Sequence, residues 1–220
     1  MMKKISLALA FCLLMTACGL TDKRPEQVNS AGAASSTSPS TSNSSGSNPS
    51  TASNTGSEPV ERPEPTAAQT ATLAGGQTVN WDQQGITWTF PAKWKKMDVK
   101  TEQFTWSSGD GGFMTVTISP MGESFPADIG LKAIYDQGKD LKKQGKIDEL
   151  RYLELDGLKG VQYRESPESG DDHKRLMWQA YRKYAGQTQL VNVNISSYKK
   201  DFPKHQDEFY AVLYSTKLVH

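Results

Sequence analysis

Cysteine is nearly absent from this chain. The 220 residues hold two, Cys12 and Cys18, and both stand near the N-terminus. The rest of the chain cannot carry a disulfide framework or a thiolate metal site. Histidine is scarce as well. His173, His205 and His220 are the only three, scattered between a polar loop, a helix start and the chain end. That scatter reads as three solvated imidazoles rather than a metal or catalytic site. No excess charge of one sign is present: 25 Lys and Arg stand against 24 Asp and Glu. From Gly76 onward the balance is 20 against 19, which lacks the basic stripe of a nucleic-acid binder. A long apolar run is missing too. Ile5–Met15 spans eleven residues, about 16 Å of helix against a hydrocarbon core of about 30 Å. Motifs of catalysis are likewise missing. There is no Gly-x-Ser-x-Gly elbow. Ser108-Gly-Asp-Gly-Gly112 lacks both the Walker lysine and the alternating Asp ligands of a calcium loop, so its glycines read as a hairpin turn.

What is present begins at the N-terminus. Lys3 and Lys4 precede a short apolar stretch, which ends in Leu14-Met15-Thr16-Ala17-Cys18-Gly19. A positive start, an apolar run and small residues before a cleavage point describe a secretory leader. The cysteine directly after Ala17 resembles a bacterial lipobox. Residues 1–17 are then expected to leave as a signal peptide, with Cys18 carrying the lipid. Cys12 is no rival, because bulky Phe11 precedes it. Several acyl chains on one residue anchor firmly, at about 0.8 kcal/mol per buried CH₂. Gly19 rather than Asp is compatible with sorting to an outer membrane, where the cell has two. The expected localisation is therefore exported and lipid-anchored, through Cys18.

Residues 18–75 change character. Ser, Thr, Ala, Pro, Asn and Gly dominate, and Ser30–Thr55 has no large apolar residue. Such a segment cannot offset its ordering entropy, and a disordered tether is expected through Gly75. Every Trp, every Tyr and all Phe except Phe11 lie from Trp81 onward, placing one globular domain at 76–220. Ile86–Phe90 alternates as a half-buried strand. Phe104–Ser107 and Gly112–Ser119 flank a glycine-rich connection, and Met114, Val116 and Ile118 share the core face. Ala127–Gln144 reads as a helix with Leu131, Ile134, Tyr135 and Leu141 on one stripe. Arg151–Leu155 and Lys159–Ser166 flank an Asp156-Gly157 turn. Lys174–Tyr184 and Thr188–Ser197 form a second hairpin. Asp201 and Pro203 open a last helix with Phe209, Val212 and Leu213 inward. The expected fold is α+β: a largely antiparallel sheet of about six to seven strands flanked by helices.

Gly85-Ile-Thr-Trp-Thr-Phe-Pro91 with Trp94, and Phe209-Tyr-Ala-Val-Leu-Tyr-Ser215 near the end, resemble the opening strand and final helix of PsbP-like domains. That group spans PsbP, the Mog protein and lipoproteins of the DcrB and LpqN type. The resemblance covers about 140 residues. It implies an α/β/α sandwich around an antiparallel sheet, and it implies binding or assembly rather than catalysis. Fold does not fix function.

The candidate sites weigh little individually. Glu168, Asp171 and Asp172 read as a solvated acidic loop. Asp148-Glu149 and Asp207-Glu208 read as surface neighbours without acid–base work. Lys93, Lys95 and Lys96 around Trp94 would suit an anionic headgroup, but a core Trp94 with solvated lysines fits better. Trp178 and Tyr184 share one strand face and Tyr181 the other. The expectation is a non-enzymatic binding or assembly module on a bacterial membrane, with an envelope protein as partner, no nucleic acid and no cofactor. The alternative is a small-ligand lipoprotein with an apolar pocket between helix and sheet; a hydrolase stands further off.

Overall fold

The computed structural model describes residues 58–168, 170 and 172–219. Cys18, the leader and the tether as far as residue 57 lie outside the described residues. In chain order the elements are β1 (Val60–Glu61), α1 (Ala67–Thr72), β2 (Gln77–Trp81), β3 (Ile86–Phe90), β4 (Lys95–Val99), β5 (Gln103–Ser107), β6 (Phe113–Pro120), α2 (Ala127–Lys143), β7 (Ile147–Leu155), β8 (Leu158–Glu165), β9 (His173–Tyr184), β10 (Gln187–Tyr198), α3 (Phe202–Tyr214) and β11 (Lys217–Leu218). A short 3-10 turn, Asp82–Gln84, joins β2 to β3.

Eight strands make one large sheet, in the order β1-β7-β8-β9-β10-β6-β5-β4. All neighbours are antiparallel except β1, which pairs parallel with β7. A second sheet has three strands, β11-β3-β2. The mixed α+β class stands, and the strand number differs from the expected six to seven. Four strands escaped the reading for physical reasons. β4 is Lys-Lys-Met-Asp-Val with exposed lysines, the composition of a protected edge. β2 alternates in burial but carries only two apolar residues, Val79 and Trp81, and β1 and β11 are two residues each. Ile86–Phe90 is a strand as read, but it sits in the small sheet.

The alternation of β6 and β10 divides the large sheet. Met114, Val116, Ile118, Val191, Val193 and Ile195 are buried on one face with Trp178, Leu153 and Leu155. This face meets α3 and the small sheet, whose Trp81, Ile86, Trp88 and Phe90 join the same core. Trp178 sits over Gly160: a Cβ there would lie 2.4 Å from the indole nitrogen. The indole N–H donates to the Leu153 carbonyl at 3.1 Å. On the other face α2 forms a smaller core of Leu131, Tyr135, Tyr152 and Val161. Gly138 lets the helix approach β7; a Cβ would meet Leu150 Cδ1 at 2.6 Å. The stripe therefore continues to Gly138, a residue without apolar bulk. The β7–β8 and β9–β10 hairpins turn on Asp156-Gly157 (φ 47° and 83°) and Ala185-Gly186 (φ 49° and 81°). Both pairs are left-handed at each position, as a type I′ turn requires.

The boundary at Gly75 needs correction. Residues 60–73 carry β1 and α1, which a tether through Gly75 does not allow. Val60 and Glu61 pair with Tyr152 and Leu153. Arg62 reaches Glu154 at 3.0 Å, and Arg151 reaches Glu61 at 2.8 Å. Thr66 accepts from the Gln69 N–H at 3.2 Å while the Gln69 side chain accepts from the Thr66 N–H at 3.1 Å. This reciprocal pair is a capping box, and α1 packs against α3. A chain beginning at Gly76 is accordingly expected to unfold at a lower temperature than one beginning at Glu58. The loss should be about 1–2 kcal/mol, roughly 3–6 °C. Equal melting temperatures would mean that residues 58–75 add nothing to the fold.

Candidate binding groove

The stacked Tyr135 and Tyr152 rings define a groove where α2 meets the edge of the large sheet. Their centroids lie 4.1 Å apart with 12° between planes. Tyr135 comes from the inward stripe of α2 and Tyr152 from the α2 face of β7. Lys159 Nζ stands 4.2 Å from the Tyr152 ring centre, and Lys139 Nζ stands 5.5 Å from that of Tyr135. Both ammonium groups gain from the negative ring faces. Lys132 and Lys139 reach Asp136 at 2.5 and 2.6 Å. Hydrogen bonds from these two lysines hold the Asp136 carboxyl down at about 2. Burial raises both tyrosine hydroxyls above their ordinary range. The groove measures about 360 Å³ and is also lined by Glu58, Asp128 and Leu131. Six of its nine lining residues are charged, and Leu131, Tyr135 and Tyr152 are the remaining three. An aromatic floor with a charged rim suits a protein partner.

A second polar cluster lies between β7, β8 and α3, and its members bond mainly to one another, although Arg151 Nε has no hydrogen-bond partner among the described residues. Glu149 accepts from the Tyr210 hydroxyl and from Gln162 Nε2 at 2.7 Å. Arg151 donates to Gln162 at 3.1 Å and to the Tyr214 hydroxyl at 2.5 Å. Arg164 donates to Asp148 at 2.7 Å and to Tyr210 at 3.2 Å. Lys174 reaches Asp148 at 3.2 Å. Asp148 and Glu149 are thus not idle surface neighbours: Glu149 ties the sheet to α3, and Asp148 holds Arg164 and Lys174 of the neighbouring strands. Asp207-Glu208 is corrected in part, because Glu208 accepts from the buried Trp94 indole at 2.7 Å and pairs with Lys93 at 3.0 Å.

The other sequence candidates stand apart. Trp94 is buried, Lys93 is held by Asp110 at 2.8 Å as well as by Glu208, and Lys95 and Lys96 are exposed on β4. Ser108 is buried in its hairpin: its hydroxyl donates to Asp110 at 2.5 Å and accepts from the Gly112 N–H at 2.8 Å. His205 is not solvated; it is buried and stacks on Phe209 at 5.4 Å. His173 opens β9 rather than lying in a loop, and stacks on Tyr198 at 4.6 Å. His220 and Asp171 lie outside the described residues, while Asp172 is exposed. Asp201 precedes α3 but pairs with Lys204 at 3.0 Å instead of capping. Trp178 is core, Tyr181 faces α2 and packs on Phe125 at 4.9 Å, and Tyr184 lies under Arg182 at 4.3 Å. Arg182 is buried and, among the described residues, donates to oxygens of Gln84 and Gln189, and burial pulls its guanidinium below the ordinary range.

Burial first, and the Glu149 carboxylate second, push the Tyr210 hydroxyl far above its ordinary value of 10.0. Its contribution to stability is complete below pH 10 and is lost as pH rises from there toward the folded value. In denaturant melts above pH 10, Tyr210→Phe should therefore lose stability less steeply than the parent, by about 1.4 kcal/mol per pH unit. Identical slopes would contradict this.

No protein-family model matches the chain, and no curated protein matches it. Among solved structures, the chain is similar to the cyanobacterial PsbP of Synechocystis (14% identity, 66% of this chain and 92% of that one, TM-score 0.43). It is also similar to LpqN of Mycobacterium tuberculosis, described as involved in cell envelope biogenesis (11%, 66% and 91%, TM-score 0.48). A third is the Ran-binding protein Mog1p of Saccharomyces cerevisiae (12%, 66% and 95%, TM-score 0.38). A Bacteroides thetaiotaomicron structure is matched over 46% of its own length only.

Proposed function

We propose that this chain is an envelope lipoprotein of a bacterial membrane, anchored through Cys18, which works without catalysis by binding a partner protein at the α2 groove. The observation that carries the binding half is the Tyr135–Tyr152 stack with Lys139 and Lys159 over its rings. Both rings belong to the core behind α2 and are only 8% exposed, so they form a rigid floor whose edges, with the charged side chains over them, are what a partner would meet. The lysines and the Asp136 cluster form a polar rim that would set orientation. The anchoring half rests on the leader and the Leu14–Cys18 pattern. The polar groups that do converge, around Glu149 and Arg164, are engaged with one another and serve the fold.

One experiment tests both halves. The full chain is expressed in a bacterium with a photo-crosslinking residue at Lys132, on the groove, or at Lys217, on the small sheet. Lys132 should give a discrete adduct in the membrane fraction and Lys217 none. Adding Lys159→Glu, a charge reversal at an exposed groove residue, should lower that adduct about tenfold. Cys18→Ala should abolish palmitate incorporation and release the protein or leave its leader uncleaved. Mass spectrometry showing an unmodified Cys18 would defeat the anchor, and equal adducts from both positions would defeat the groove.

A further inference from the structure

The two long helices are held to the large sheet in different ways. α3 has 13 residues, and seven of them are buried. Its Tyr210 hydroxyl donates to Glu149, and its Tyr214 hydroxyl accepts from Arg151 at 2.5 Å. α2 has 17 residues, and only Leu131, Tyr135 and Gly138 are buried. Gly138 adds no side chain to the contact. Among the described residues, no side-chain hydrogen bond or ion pair joins α2 to the sheet. The ion pairs of α2, Lys132 and Lys139 with Asp136 and Lys143 with Asp140, run along the helix itself. They support helix formation without adding to docking.

What holds α2 is a small apolar contact. Leu131 and Tyr135 meet Tyr152 and Val161, with Ile134, Leu150, Tyr163 and Tyr181 half-buried around them. The larger core on the opposite face takes nothing from α2. The helix is also weak by itself. Pro126 precedes it without a side-chain cap bond. Gly130 and Gly138 lie in its interior, and each lowers the helix population about fivefold relative to Ala. A helix of 17 residues with two such glycines is marginal in water unless it packs on something. Just past its end, a Cβ on Gly145 would meet no atom within 4 Å, so that turn is not wedged in place. Phe125, ahead of the helix, rests on Tyr181 and anchors the entry.

We propose that α2 is a lid: it unfolds from β7, β8 and β9 as a unit while the rest of the domain stays folded. A segment with few buried apolar contacts and no polar ties is the part of a fold that opens first. Opening parts Tyr135 from Tyr152 and uncovers Tyr152 and Val161 together with Leu150 and Tyr163. The tyrosine groove therefore exists only while the lid is shut. A partner that docks there selects the closed state and disfavours opening by the factor 1 + [partner]/Kd. That consequence rests on the groove as a docking site; the opening itself does not.

Hydrogen exchange of the full-length protein, with no partner present, measures the opening. Amides in the interior of α2 should be protected at least about tenfold less than those of α3 and β10. A core substitution then separates local from global opening. Val193 is buried in the larger core, which stays intact when the lid opens. Val193→Ala should lower protection in α3 and β10 about thirtyfold and leave α2 unchanged. The milder Ile195→Val, in the same core, should do so about fivefold and serves if Val193→Ala does not fold. Two results overturn the proposal. One is α2 protection within about tenfold of that of α3 and β10. The other is a fall in α2 protection that matches the fall in β10 in a folded variant. Because no partner is added, failure of the groove crosslink leaves this outcome untouched.

Discussion

A continuous layer of aromatic rings joins the parts of this domain. Trp81 and Trp88 of the small sheet contact Phe104 of β5 at 5.5 and 4.8 Å. Phe90 stacks on Trp106 at 5.0 Å and 9°. It also meets Trp94, which leads edge-on to Phe209 of α3 at 6.3 Å. Phe202 closes the series against Phe209. Each such ring buries roughly 150–250 Å², or about 4–6 kcal/mol of transfer free energy at 25 cal/mol per Å². With the aliphatic side chains of β6, β7 and β10, this layer joins α3 and the small sheet to the large sheet. The indoles also fix position, since Trp81 donates to the Lys100 carbonyl at 2.9 Å and Trp94 to Glu208.

The layer commits one face of the sheet to folding and leaves part of the other available. Val191, Val193 and Ile195 face the rings, while Asn192, Asn194 and Ser196 face away. The same backbone alternation thus writes core and surface into one strand. α2 covers the outer half of the second face and contributes the tyrosine groove. The part of the sheet beyond it stays open, polar across β10, β6 and β5 and charged at the β4 edge. A binding module needs this arrangement more than a deep cleft: a rigid core behind and accessible side chains in front.

Much of this was legible in the sequence. The alternation of Met114, Val116 and Ile118, the Asp156-Gly157 turn and the stripe of α2 are local signals with one physical meaning. What escaped depends on pairing across distance. β4 reads as polar because an edge strand is protected by charge, and β1 exists only because β7 offers it a partner. The Thr66–Gln69 capping box was readable, yet the Pro- and Thr-rich composition around it masked a helix of six residues. Of the site, Tyr135 was visible as core, but its stack on Tyr152 joins a helix to a strand that touches it only in the folded chain. Glu149 and Glu208 looked like surface carboxylates because their partners, Tyr210 and Trp94, lie more than sixty and more than one hundred residues away.

The central claim is that the two faces of the sheet have separate work, one holding the fold and the other meeting partners. Val193 and Asn194 are adjacent on β10 and point to opposite faces, so they test it directly. Denaturant melts of Val193→Ala and Asn194→Ala in the full-length protein would give the comparison. The account requires a loss of about 2 kcal/mol for Val193→Ala and a change within about 0.5 kcal/mol for Asn194→Ala. Similar losses at both positions would show that the second face is also part of the folding core, and the division would fail.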